Sequence, residues 1–75
     1  MNFPPEKLAE ICALGPVKAS EMLDRGRAGD LQALADWSVY ALYRQFVRVG
    51  ASPVEARKHT AVIMDRVNLT AKVST

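Results

Sequence analysis

Between Asp30 and Gly50 the chain runs for nineteen residues, LQALADWSVYALYRQFVRV, without a glycine or a proline. At about 100° per residue its apolar side chains fall on both sides of a helix rather than on one. Leu31, Ala35, Val39, Leu42, Phe46 and Val49 make one continuous aliphatic face. Trp37, Tyr40, Tyr43 and Val47 lie across the opposite side, interleaved with Asp36, Arg44 and Arg48. A helix of this kind has to be covered twice, and either face suits the interior. Asp30 supplies an N-cap and Gly50 a C-terminal cap, so this segment is the central element, a third helix of about five turns.

The flanking sequence supplies three shorter partners. Pro4-Pro5-Glu6 places prolines where a first helical turn tolerates them, and Leu8, Ile11 and Cys12 recur at helical spacing up to Leu14. Gly15-Pro16 stops that helix, and Pro16 opens a second one, carrying Val17, Ala19, Met22 and Leu23 into the breaker-rich DRGRAGD. After Gly50, Ser52-Pro53-Val54-Glu55 combines an N-cap serine, a proline at the first helical position and a glutamate at the third, which is a capping box. Ala56, Thr60, Ile63 and Val67, with Met64 beside them, form the inward stripe of this fourth helix, which is expected to stop near Asn68. No β alternation, repeat or low-complexity tract appears. The fold class is therefore all-α: a single domain over 1–75 of about four helices, two short, one long and central, one C-terminal. Orthogonal or bundle-like packing is expected, with 1–4 and 69–75 frayed.

Seventy-five residues, 49% of them hydrophobic, suffice for one modest core. Domains this small commonly lean on disulfides, a metal or self-association. One cysteine, Cys12, excludes an internal disulfide, and with the single His59 it does not make a zinc site, so no metal or cofactor is expected. Self-association or unusually good packing is the remaining route, and a homo-oligomer is expected. No apolar run approaches the roughly 18 residues of a membrane span, and the N-terminus has acids where a secretory signal has a basic start, which points to a cytoplasmic protein without a membrane partner. In that setting Asn68-Leu69-Thr70 is an idle glycosylation match, and Cys12 is a small buried hydrophobe in a reducing compartment.

Charge is unevenly spread. Residues 1–36 hold four basic against six acidic side chains, and residues 37–75 hold six basic against two acidic. A basic half fits a phosphate backbone, an acidic protein or the acidic half of a second copy. Taken as a helix-turn-helix, the Gly50 turn would present Arg57, Lys58 and Arg66 to nucleic acid, with Arg44 and Arg48 on phosphates. Phe46 and His59 stand where that motif usually has Ala and an apolar residue, and Glu55 would sit among phosphates. Catalysis finds no constellation: His59 has no serine, cysteine or carboxylate at a recognisable spacing, and Gly26 and Gly29 lack the remainder of a phosphate loop. His59 is expected to be a half-buried helix residue. No catalytic residue is assigned.

The sequence thus favours a small non-enzymatic regulator that binds another protein through the third helix, as a homodimer, and inhibits it. Trp37, Tyr40, Tyr43, Arg44, Val47 and Arg48 are the candidate contact residues, because Trp, Tyr and Arg dominate binding hot spots. Stand-alone chains of this kind include regulators encoded by mobile genetic elements. The alternative is a dimeric DNA-binding regulator that uses the helix over 53–67.

Overall fold

Local punctuation decides where each helix stops. The structure, a computed structural model, describes the backbone of residues 4–74 and the side chains of residues 4–67. Four helices and no strand occur among the described residues: α1 (Pro5–Cys12), α2 (Gly15–Arg27), α3 (Leu31–Arg48) and α4 (Pro53–Ser74). The prolines that open α1 and α2 stand in their first turns, where their missing N–H has no intrahelical partner to lose.

The two sharp corners, before and after α3, share one device. At the end of α2 the Gly29 N–H donates to the Gly26 carbonyl and the Asp30 N–H to the Arg25 carbonyl. After α3, Gly50 and Ala51 repeat the pattern on Val47 and Phe46. Both are Schellman motifs, which need a left-handed residue at the turn, and Gly29 (φ 116°) and Gly50 (φ 106°) provide it. The Asp30 carboxylate then accepts from the Ala33 N–H at 3.1 Å, so one residue closes α2 with its main chain and opens α3 with its side chain. Ser52 Oγ accepts from the Glu55 N–H at 3.2 Å, which is the serine half of the expected capping box.

Packing is two layers deep. The molecule measures 35 × 32 × 21 Å, and 21 Å is about two helix diameters. Leu8 and Ile11 of α1, Ala19 of α2, and Val39 and Tyr40 of α3 form the buried cluster, with Cys12, Leu14, Trp37, Ala61 and Met64 packed around it. Ala56 and Thr60 of α4 are completely buried. The Thr60 hydroxyl donates to the Ala56 carbonyl at 2.7 Å, and among the described residues no buried side-chain polar atom lacks a partner. α2 and α3 approach closely: a Cβ on Gly26 would stand 2.9 Å from Leu34 Cβ and 3.0 Å from its Cα. Gly26 is therefore a contact surface inside α2, not a loop breaker.

Several sequence expectations change here. Val17 is 72% exposed, because the buried face of α2 is set by Ala19, Met22 and Gly26 and Val17 lies across from it. The stripe of α4 is buried at Ala56 and Thr60 and half-buried at Ile63 and Met64, but Val67 is 52% exposed. That helix also runs on to Ser74 past the expected stop at Asn68, since nothing from Leu69 to Ser74 is a glycine or proline. Residues 1–3 lie outside the described residues, as do the side chains of Asn68, Leu69 and Thr70.

The structure decides the question that the sequence leaves open, which face of α3 is inside. The structure turns the aromatic side inward and leaves most of the aliphatic face outside: Tyr40 is 9% exposed, whereas Leu31 is 76% and Val49 81% exposed. Of that face only Val39 is buried, Leu42 and Phe46 are half-buried, and Ala35 is exposed. In a two-layer domain one face of each helix meets solvent, so a helix apolar on both sides exposes one of them.

Candidate functional site

The inward-turned aromatics do not close completely over the core. Where α1 gives way to α2, the chain turns through Cys12, Ala13, Gly15 and Pro16, and Gly15 (φ 77°) takes the left-handed conformation that the turn requires. This corner stands off the C-terminal half of α3, and an open groove of about 710 Å³ lies between them. Trp37, Tyr40, Ala41, Tyr43, Arg44, Gln45 and Arg48 form its α3 wall. Five of the six expected contact residues thus share one groove; Val47 is half-buried and does not line it.

Their exposures differ, and so do their roles. Tyr40 belongs to the core cluster and contributes only its outer edge to the groove floor. Trp37 packs against the cluster and Tyr43 is half-buried, so both are rigid walls. Arg44 and Arg48, one turn apart, are exposed at the rim. Among the described residues no carboxylate lines the groove. Asp36, which the sequence interleaves with the aromatics, is directed to the other side of α1, where it pairs with Lys7 at 3.4 Å and accepts from the Gln32 amide at 3.0 Å.

Cys12 lines the groove and is half-buried, less enclosed than the buried hydrophobe expected. Burial pushes its thiol pKa up, and the nearby Arg57 guanidinium partly offsets that by favouring the thiolate. The sequence did not reveal that Arg57 reaches toward α1. The glycine-proline pair after α1 was visible as a helix break, but nothing in its spacing showed that the corner would form the opposite wall of a groove.

The alternative set is not brought together. Arg57 is half-buried and acts on Cys12, while Lys58 and Arg66 are exposed. Nine residues at about 100° each put Arg57 and Arg66 on opposite sides of α4. His59 is exposed rather than half-buried, its ring centroid 5.3 Å from that of Phe46 and tilted by 40°. This stack occupies the seam between α3 and α4 near the turn, where a helix-turn-helix usually places small and apolar residues. Among the described residues no three His, Cys, Asp or Glu side chains converge as a metal site, and no helix is long and apolar enough to cross a membrane.

Comparison of the chain with protein-family models, with curated proteins and with solved structures gives no match. The chemistry of the groove therefore carries the functional argument.

Proposed function

We propose that the chain is a small non-enzymatic regulator that seats a segment of another protein in the groove between the α1–α2 corner and α3, and inhibits that protein by occlusion. One observation carries this reading: two rigid aromatic walls, Trp37 and Tyr43, and two exposed guanidinium groups, Arg44 and Arg48, converge on a groove without a carboxylate. Such a surface complements an apolar anchor side chain flanked by acidic residues. Desolvating the anchor against the aromatics supplies most of the binding free energy, while the arginines at the rim steer the encounter and select the partner. Cys12 is the one thiol in the lining, and burial favours its protonated, unreactive form, which suits binding rather than covalent chemistry.

The test uses the purified chain as bait in nuclease-treated lysate of its native host, beside an Arg44→Glu/Arg48→Glu variant. Both side chains are exposed, so the variant should keep its helical circular dichroism. One protein retained in stoichiometric amount by the wild type and weakened at least tenfold by the variant, about 1.4 kcal/mol, is the expected result. Retention that disappears with nuclease would point instead to nucleic acid and to α4. A partner held equally by the variant would place its site away from the groove.

A further inference from the structure

The outward face of α3 differs from the exposed face of every other helix. α1 shows solvent Glu6 and Glu10; α2 shows Lys18, Glu21, Asp24 and Arg25; α4 shows Glu55, Lys58 and Arg66. On α3 the outward positions are Leu31, Ala35, Ser38, Leu42, Gln45 and Val49, all exposed except the half-buried Leu42, and none is charged. Their spacing alternates four and three residues from end to end. That is the 3.5-residue period of a helix-pairing seam, sustained over the whole of α3 and its C-cap.

We infer that this seam binds a second copy of the chain, α3 against α3, antiparallel about a two-fold axis near Tyr40. Three features single out that occupant. First, in the antiparallel register small residues meet large ones: Ser38 faces the partner's Leu42, Ala35 faces the partner's Gln45, and Leu31 faces the partner's Val49. A parallel pair would set Ala35 on Ala35 and Ser38 on Ser38, leaving voids whose lining atoms lose their contacts. Second, Asp30 and Arg48 stand at opposite ends of α3 and, eighteen residues apart, on the same flank of the seam, so antiparallel pairing brings each Arg48 to the level of the partner's Asp30. Third, a two-fold interface is made of one patch meeting itself, which an uncharged seam permits without like-charge contacts.

The area sets the strength. A specific interface buries at least about 1,000 Å² in total, roughly 500 Å² per copy, which is under a tenth of the 5382 Å² surface of this chain. The seam is about 27 Å long, so the strip has to be roughly 18 Å wide. Leu34, Ala41 and Phe46 flank the seam and would supply the rest of that width by the edges that α2, the groove and α4 leave open. This is a small interface, at the lower end of the range for specific association.

Ser38 is exposed and does not line the groove, so Ser38→Arg perturbs the seam at its centre without touching the proposed target site. Sedimentation equilibrium at tens of micromolar protein should show a wild-type dimer and a monomeric Ser38→Arg chain with unchanged helicity. Orientation is read by mild oxidation of Leu31→Cys and Val49→Cys chains, each in a Cys12→Ser background. A disulfide that forms in the mixture and in neither chain alone reports the antiparallel register. A wild-type monomer, a Ser38→Arg chain that stays dimeric, or cross-linking of Val49→Cys with itself would each overturn the inference. The seam shares Ala41, Gln45 and Arg48 with the groove, so target capture by the monomeric Ser38→Arg chain reads the groove separately from the dimer.

Discussion

Gly26→Ala is the substitution on which the account of the groove depends most directly. Gly26 lies in the last turn of α2 in ordinary helical conformation, and alanine there gains helix propensity of up to about 1 kcal/mol. Against this, the added Cβ would meet Leu34 at 2.9 Å from Cβ, 3.0 Å from Cα and 3.1 Å from the main-chain nitrogen. Two of those three atoms are backbone, so a rotamer change cannot relieve the contact. The helices must part by about half an ångström or more to reach ordinary carbon separations of 3.5–4.0 Å. Overpacking costs about 1–3 kcal/mol, and with backbone atoms in contact the upper half of that range applies, so the net loss after the propensity gain should be about 1–2 kcal/mol. A chain of this size has about 4–11 kcal/mol of stability in all, and each kcal/mol moves its melting temperature by about 4–8 °C. Urea unfolding followed by Trp37 fluorescence at fixed protein concentration should show a lower midpoint with an unchanged slope. Because α2 begins at the corner that walls the groove, the same variant should also weaken target binding. A Gly26→Ala chain as stable as the wild type would refute the reasoning, since α2 would then not be held against α3 by that close approach.

Two further perturbations test separate parts of the argument. Asp30→Ala removes the carboxylate that accepts from the Ala33 N–H but keeps the main-chain bond that closes α2, so a thermal melt should register a loss of about 1 kcal/mol; a loss near zero would mean that solvent caps α3 equally well. The raised pKa of Cys12 means that folding favours the neutral thiol: its contribution to stability is complete below the unfolded value, near 8.5, and is lost as pH rises through the higher folded value. Alkylation by iodoacetamide should accordingly reach half its maximal rate at higher pH than for an exposed thiol. Arg57→Gln should move that midpoint higher still, and a midpoint shifted down would show that the guanidinium does not act on Cys12.

Helix number, order and most helix starts were legible in the sequence because they are local. A cap, a proline or a glycine acts within a turn of itself, and Asp30, Ser52-Pro53 and Gly50 do in the fold what their spacing implies. The same locality explains the weaker readings. DRGRAGD looked like a loop because glycine usually breaks helices, yet Gly26 is helical and is needed for contact with a residue eight positions on. Five of the six residues assigned to binding share one groove, and they were picked from composition, by the affinity of Trp, Tyr and Arg for interfaces. Their division into floor, wall and rim depends on α1 and α2, which no property of α3 encodes.

The sequence by itself determined that α3 is apolar on two opposite sides and that three other helices are available to cover it. Only the tertiary structure decided which side is covered. α1 and α2 deliver small and medium-sized residues, Ile11, Cys12, Ala19 and Met22, to the interior, and the bulky Tyr40 and Trp37 fill the space that these leave. With two layers and no third, the aliphatic side is left outward. Hydrophobicity fixes how much surface α3 has to bury; shape complementarity with its neighbours fixes which part.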